Sequence, residues 1–211
     1  MTAFLTTLLL CYLCGSIPFG LILAKINGVD IRKVGSGNIG ATNVMRTLGK
    51  KWGYSCFLLD FLKGLIPVLL AKYYAAPQAG DLGQYMVIAA LPATISGHIF
   101  CIWLKFKGGK GVATGAGAIM AVCPPAVFAA LIAWIIIFKK TGYVSLASII
   151  AAIVIPFAAW LMKLQGWVNI NGPQLILLAI IGTLVTVMHR SNIQRLLNGT
   201  ENSFKKKKEN S

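Results

Sequence analysis

VATGAGAIMAVCPPAVFAALIAWIIIF, residues 112–138, carries no charge over its whole length. Read as one membrane span, it leaves Lys139-Lys140 and everything after it, including Arg190, Arg195 and Lys205–Lys208, on the outer side. Read as two short spans broken at Cys123-Pro124-Pro125, it returns all of them to the cytoplasm. Adjacent prolines break a helix, and cytoplasmic segments collect Lys and Arg. Both arguments predict the break. With it, every one of the 20 basic residues except Lys63, Lys72 and Lys163 lies in a cytoplasmic segment. Each half is shorter than the roughly 20 residues a crossing needs, so two tilted or internally buried helices are expected here.

The rest of the chain fits around this stretch. Of 211 residues 57% are apolar and 12% charged, where a soluble domain averages about 25% charged. Mean hydropathy is +0.75. Apolar runs predict spans at 2–24, 52–76, 84–104, 144–162 and 173–188. Ser16, Pro18 and Gly20 are expected to kink the first. The predicted fold is an all-α integral membrane protein with seven transmembrane helices, two of them short. Its N-terminus is outside, its C-terminus cytoplasmic, and the first span is not a cleaved signal. Residues 1–200 form one domain and 201–211 a Lys-rich tail, expected to touch anionic lipid. The net charge of +15 follows from this topology, and no nucleic-acid motif accompanies it. Cys11-x-x-Cys14 lies within an apolar helix and reads as packing rather than redox chemistry.

Four of the predicted cytoplasmic segments carry more polar chemistry than topology requires. Ser36-Gly-Asn-Ile-Gly-Ala-Thr-Asn-Val-Met-Arg46 cannot make an apolar core. Its hydroxyls, amides and glycine-exposed N–H groups suit a small anion, with Asn38, Thr42 and Asn43 as contacts and Arg46 as a fork for phosphate. Lys107-Gly108-Gly109-Lys110-Gly111 precedes a helix start, and a helix N-terminus with open N–H groups favours anions. Ser145 opens the sixth span, as an anion donor or a helix cap. His189 and Asn192 share one helix face at a membrane exit, where His suits proton transfer. Asp60 and Lys63, three apart inside the membrane, are expected to pair structurally. No metal-ligand spacing and no Gly-x-Ser-x-Gly elbow occurs in the sequence. On these residues alone, a transporter for a phosphorylated solute or a lipid-binding scaffold also fits the spans and the charge.

Together these segments resemble the bacterial acyl-phosphate:glycerol-3-phosphate acyltransferases, the PlsY family. The matching pieces are Ser36–Arg46, Asp60-Phe-Leu-Lys-Gly64, Gly97-His98, Phe106–Thr114, Tyr143-Val-Ser145 and His189-Arg-Ser-Asn-Ile-Gln-Arg195 with Gly199 and Glu201. They run in family order over about residues 10–201. The His-x4-Asp pattern of other glycerolipid acyltransferases is missing: Trp103 follows His98 and Gln194 follows His189 at that interval. The resemblance implies a seven-span, monomeric enzyme of the bacterial inner membrane with its site facing the cytoplasm. It would use no cofactor and no metal. Its substrates would be acyl phosphate and glycerol 3-phosphate, its products lysophosphatidic acid and phosphate.

Family roles fall on Ser36, Arg46, His189 and Asn192 as catalytic residues and on Ser145 and Lys107–Gly111 for substrate, the glycine-lysine loop taking glycerol 3-phosphate. Glu201 is implied to be structural. The proton of the accepting hydroxyl has two possible destinations, His189 or the donor phosphate. The sequence favours the second, because it shows no carboxylate to orient His189.

Overall fold

The computed structural model describes residues 1–205; Lys206–Lys208 of the predicted lipid-touching run lie outside the described residues. The described residues are helical, with no strand among them. They cluster into two compact units, Met1–Val122 and Cys123 onward.

In the first unit, α1 (Thr2–Gly15) and α2 (Phe19–Ile26) form one apolar segment interrupted at Ser16–Pro18. The expected kink is there, and its loosened carbonyls have partners. The Ser16 carbonyl accepts from Cys101 Sγ at 2.9 Å, and the Ile17 carbonyl accepts from Lys63 Nζ at 2.7 Å. A short amphipathic helix, α3 (Ala41–Leu48), leads into α4 (Lys50–Leu70), which continues through a π-helical turn at Ala71–Ala75. Pro67 inside α4 cannot donate to the Lys63 carbonyl, and Cys14 Sγ approaches that carbonyl at 4.0 Å. Cys11 Sγ reaches the Pro67 carbonyl at 3.8 Å. Both cysteines therefore pack α1 on α4, and all five cysteines are free thiols. α5 (Gly83–Ile99) and α6 (Val112–Met120) complete the unit.

Glycines bring these helices close. A Cβ on Gly15 would strike the Thr94 carbonyl, and one on Gly97 the Tyr12 carbonyl, so α1 and α5 touch backbone to backbone. Gly64 meets the Thr114 carbonyl and Gly117 the Phe61 carbonyl, which locks α4 against α6 in the same way. Between apolar helices in lipid, such close packing replaces a hydrophobic driving force.

The second unit holds α7 (Pro124–Thr141), α8 (Val144–Leu164), α9 (Gly172–Met188) and α10 (Arg190–Leu197). The break at Cys123-Pro124-Pro125 is present, with proline in the first turn of α7, where its missing N–H costs nothing. Of the two helices expected to be short, only α6 is: it has nine residues, whereas α7 has 18 and is long and apolar enough to cross. By length and composition five segments qualify as spans: Thr2–Ile26, Lys50–Gln78, Gly80–Leu104, Pro124–Thr141 and Val144–Leu164. α9 with α10, bent by 57°, makes a sixth if counted together.

Candidate active site

The loop before α3 is built on Asn43. This side chain is 2% exposed. Its Oδ1 accepts from the Ser36 N–H at 3.0 Å, and its Nδ2 donates to the carbonyls of Ile31, Val34 and Asn38 at 3.2, 3.1 and 2.9 Å. One amide thus gathers four backbone groups between residues 31 and 38. Gly35 (φ +60°) must lack a Cβ, because the atom would fall on Asn43 Oδ1. Asn38 Oδ1 accepts from the Gly40 N–H at 2.8 Å. Both asparagines read from sequence as anion contacts are therefore occupied in shaping the loop. The loop they shape presents Ser36 and Arg46 to solvent, with Thr42 half-buried in the first turn of α3.

The Lys107–Gly111 loop lies against the end of α5. The Gly108 N–H donates to the Ile99 carbonyl at 2.9 Å and the Gly109 N–H to the His98 carbonyl at 3.1 Å. A Cβ on Gly108 would collide with the His98 carbonyl, and one on Gly109 with His98 Nε2. The approach to this loop is strained: Lys105 and Phe106 adopt φ of 52° and 63°, a left-handed conformation that costs a non-glycine residue about 1–2 kcal/mol. Gly111, also left-handed at φ 80°, is the N-cap of α6. Lys107 is exposed and Lys110 half-buried. Together these supply a glycine-rich backbone turn, a helix N-terminus and two ammonium groups.

Beneath the loop lies a buried charged cluster. Lys63 Nζ sits 2.6 Å from Asp60 Oδ1, with both side chains at most 3% exposed. The contact is close in charge but off-angle for a hydrogen bond, since Asp60 Oδ1 has no aligned donor among the described residues. Lys63 spends an aligned bond on Ile17 instead. The expected pairing is present, and it ties α4 to the interruption between α1 and α2. The structure places His98 Nδ1 3.8 Å from Asp60 Oδ1.

In the second unit the hub is Glu201. Oε1 accepts from Ser145 Oγ at 2.8 Å and from Asn192 Nδ2 at 2.7 Å, and Oε2 accepts from Arg195 Nε at 2.7 Å. This joins the start of α8, α10 and the chain beyond Gly199, whose φ of 67° turns it back. Burial acts to raise the Glu201 carboxyl, but the bonds from Asn192, Ser145 and Arg195 outweigh it and hold the carboxyl below its usual value. Residues 201–205, read as the start of the tail, run along the α7–α8 connection. The Phe204 N–H donates to the Gly142 carbonyl at 3.0 Å, and the Phe204 ring stands edge-on to Phe138.

His189 occupies the bend between α9 and α10 and is 3% exposed. Its Nδ1 lies 2.7 Å from the Val185 carbonyl. A carbonyl only accepts, so Nδ1 carries the proton, and the neutral ring has its lone pair on Nε2. The orienting group that the sequence did not reveal is a backbone atom four residues back, which no side-chain pattern announces. Among the described residues no cluster of three or more metal-binding side chains occurs.

Comparison with known proteins points one way. The family profile described as glycerol-3-phosphate acyltransferase matches residues 5–199. A glycerol-3-phosphate acyltransferase of Geotalea daltonii is 47% identical over 206 residues, covering 98% of this chain and all of its own. That of Aquifex aeolicus is 44% identical over 193 residues, covering 92% and 95%. Among solved structures, PlsY, an integral membrane glycerol 3-phosphate acyltransferase, superposes in its glycerol 3-phosphate form with TM-score 0.84 at 41% identity, covering 97% of this chain and 96% of that one. A second structure of PlsY, in its lysophosphatidic acid form, gives 0.81. With these matches spanning nearly the whole chain, this membrane protein belongs to the glycerol-3-phosphate acyltransferase family.

Proposed function

We propose that the protein moves a fatty acyl group from acyl phosphate to the 1-hydroxyl of sn-glycerol 3-phosphate, giving lysophosphatidic acid and phosphate. The observation that carries this reading is the Lys107–Gly111 loop. Its glycines lie directly on the end of α5, and it opens through Gly111 into the N-terminus of α6. The N-terminus of α6 beyond Gly111 and the Lys107 and Lys110 ammonium groups suit the phosphate of glycerol 3-phosphate, while the Gly108 and Gly109 N–H groups fasten the loop to the end of α5. A relative solved in a glycerol 3-phosphate form supports the same substrate.

Acyl phosphate fits the remaining chemistry. Its phosphate is a ready leaving group, so direct attack by the glycerol hydroxyl needs no acyl-enzyme. Ser36 is flanked by glycines rather than by a base that would make it a nucleophile. Two phosphorylated substrates repel one another, and Arg46, Lys107 and Lys110 supply the opposing charge. Ser36 and Thr42 contribute hydroxyls, while Asn38 and Asn43 hold the loop that carries them. Ser145 and Asn192 are set by Glu201.

The hydroxyl oxygen attacks the acyl carbon, the bond to the donor phosphate breaks, and the hydroxyl proton passes to His189 Nε2. The bond to Val185 supports this route over transfer to the departing phosphate, because it supplies the orientation that the sequence lacked. Replacing His189 with Ala should lower kcat by about 100-fold or more. A loss below tenfold would assign the proton to the phosphate.

The proposal includes seven spans, the N-terminus outside, and a monomer whose site faces the cytoplasm from the bacterial inner membrane; of these, α6 supports the additional crossing. Lys72 Nζ donates to the Ala121 carbonyl at 3.2 Å, just past the end of this helix. Twenty-two residues of helix separate Lys50 from Lys72, about 33 Å at 1.5 Å each, comparable with the roughly 30 Å hydrocarbon core. Thr114 meets Gly64, partway along that length. The nine residues of α6 thus serve the outer part of a crossing whose inner part is the glycine loop itself. Irregular backbone at depth is tolerated where protein buries it or where it lines a cavity.

The decisive experiment offers purified protein in detergent glycerol 3-phosphate with acyl phosphate, acyl-CoA or an acyl carrier protein thioester. Lysophosphatidic acid from acyl phosphate alone is the expected result. Product from a thioester would overturn the donor assignment. No product from any donor would reopen the transporter and scaffold readings.

A further inference from the structure

His98 is a buried titratable side chain that touches the glycine loop, and the mechanism above does not use it. It is 4% exposed at the end of α5. Its Nδ1 faces the Asp60–Lys63 pair and makes no hydrogen bond among the described residues. Its Nε2 lies where a Gly109 side chain would begin. Its own carbonyl accepts from the Gly109 N–H and blocks any side chain at Gly108. The imidazole therefore stands between a buried ion pair and the backbone that carries Lys107, Lys110 and the start of α6, in contact with the loop from below.

We propose that His98 is a positioning residue: its ring, braced by Asp60 and Lys63, is the floor that sets the height of the Gly108–Gly109 backbone for the phosphate of glycerol 3-phosphate. The proposal rests on reading Lys107–Gly111 as the glycerol 3-phosphate loop. A floor made of one flat ring explains why the residue above it is glycine. It also explains a histidine at this depth without a catalytic role: Gly109 lies between the ring edge and the substrate, so His98 acts through the loop.

A floor acts by reach, and two amides separate reach from polarity. The terminal amide of Gln extends about as far as Nε2, whereas that of Asn ends near Nδ1. His98→Gln should therefore keep the KM for glycerol 3-phosphate within about threefold of wild type, whereas His98→Asn and His98→Ala should raise it about tenfold. The KM for acyl phosphate should stay unchanged in all three. Gly109→Ala should also raise the glycerol 3-phosphate KM about tenfold by striking the ring. In the double variant His98→Ala/Gly109→Ala, the added methyl enters space the ring has left, so the KM should be no higher than in either single variant.

Multiplicative effects in the double variant would overturn the proposal. So would equal KM values for His98→Gln and His98→Asn, or a joint rise in both substrate KM values that follows loss of thermal stability. Should His98→Ala not accumulate, the Gln and Asn pair decides alone. If Lys107→Ala, Lys110→Ala and Gly109→Ala all leave the glycerol 3-phosphate KM unchanged, the loop assignment itself fails. If they raise it while His98→Asn does not, only the role of His98 fails.

Discussion

Asn43 gathers its loop with a neutral amide, and Glu201 gathers three elements with a carboxylate. Each has its side chain enclosed in its own unit, each accepts or donates through both ends of that side chain, and each holds residues to which the proposed reaction assigns chemistry. The difference is in charge. The Asn43 loop presents Arg46 and Ser36, and an anionic hub there would draw on the positive charge that the proposed reaction assigns to phosphate. Glu201 faces Arg195, so its charge is matched locally, and Ser145 and Asn192 are held as neutral donors. On the proposed reaction, with two phosphates to hold, an amide serves where positive charge is wanted for phosphate and a carboxylate where one arginine has to be fixed.

The strongest way to break this contrast is to give the first hub the chemistry of the second. Asn43→Asp would set an acceptor-only group against the carbonyls of Ile31, Val34 and Asn38, all of which now receive N–H bonds. Each buried polar group left unsatisfied costs about 1–3 kcal/mol. The variant should lose activity by more than 100-fold and accumulate poorly in membranes. Asn43→Ala separates lost bonds from added charge: it should fold better than Asn43→Asp yet still lose most activity. If Asn43→Asp retained more than a tenth of wild-type turnover, the loop would not depend on this amide.

The converse change at the second hub is milder. Glu201→Gln keeps the shape but removes the charge facing Arg195, and a Gln amide oxygen can serve only part of the three-donor set. A loss of about 1–3 kcal/mol is expected, with partial loss of turnover because Ser145 and Asn192 are less well held. The carboxyl of Glu201 titrates lower in the folded protein than in the unfolded chain. Its stabilisation is therefore complete above the unfolded carboxylate pKa and declines as pH falls through the lower, folded value. Thermal unfolding of the wild type should lose this increment on acidification, and Glu201→Gln should lack that component. Parallel pH profiles for the two proteins would show that Glu201 holds its partners without ionising.

These hubs also mark how far the sequence could be read. The all-helical membrane architecture and its breaks were legible because apolar length and a proline pair are local signals. Pro124 opens α7, and Ser16–Pro18 interrupts the first apolar segment, as expected. The length of α7 was not legible, because the charge-free run stops at Phe138 whereas the helix continues through Lys139 and Lys140 to Thr141. The polar loops were recognisable as candidates from composition, but not the work of each residue. An asparagine in a glycine-rich loop suits an anion or the loop's own backbone equally well, and only the bonds from Asn43 to residues 31–38 decide. The contact of His98 with Gly109, and the bond of His189 to a carbonyl, leave no trace in residue pattern.

The smallest effect belongs to a carboxylate with a conspicuous partner. Asp30 precedes the Asn43 loop and receives Arg32 Nε and Nη2 on its two oxygens, each at 2.8 Å. The side-chain bond from Arg32 holds its carboxyl far below the usual range, helped by the Arg32 backbone N–H and the nearby positive charges. Yet the pair lies at the surface, with the Arg32 side chain 49% exposed. Water already solvates both groups well, so the net contribution of such a pair is small. Asp30→Asn retains an oxygen for the Arg32 N–H that caps the 3-10 turn at Ile31–Lys33. Its melting temperature and its KM for glycerol 3-phosphate should match wild type within error. A clear rise in that KM would mean that charge at Asp30, and not the Asn43 amide alone, sets the loop. The contrast between a neutral hub and a charged one would then have to be redrawn within the first unit.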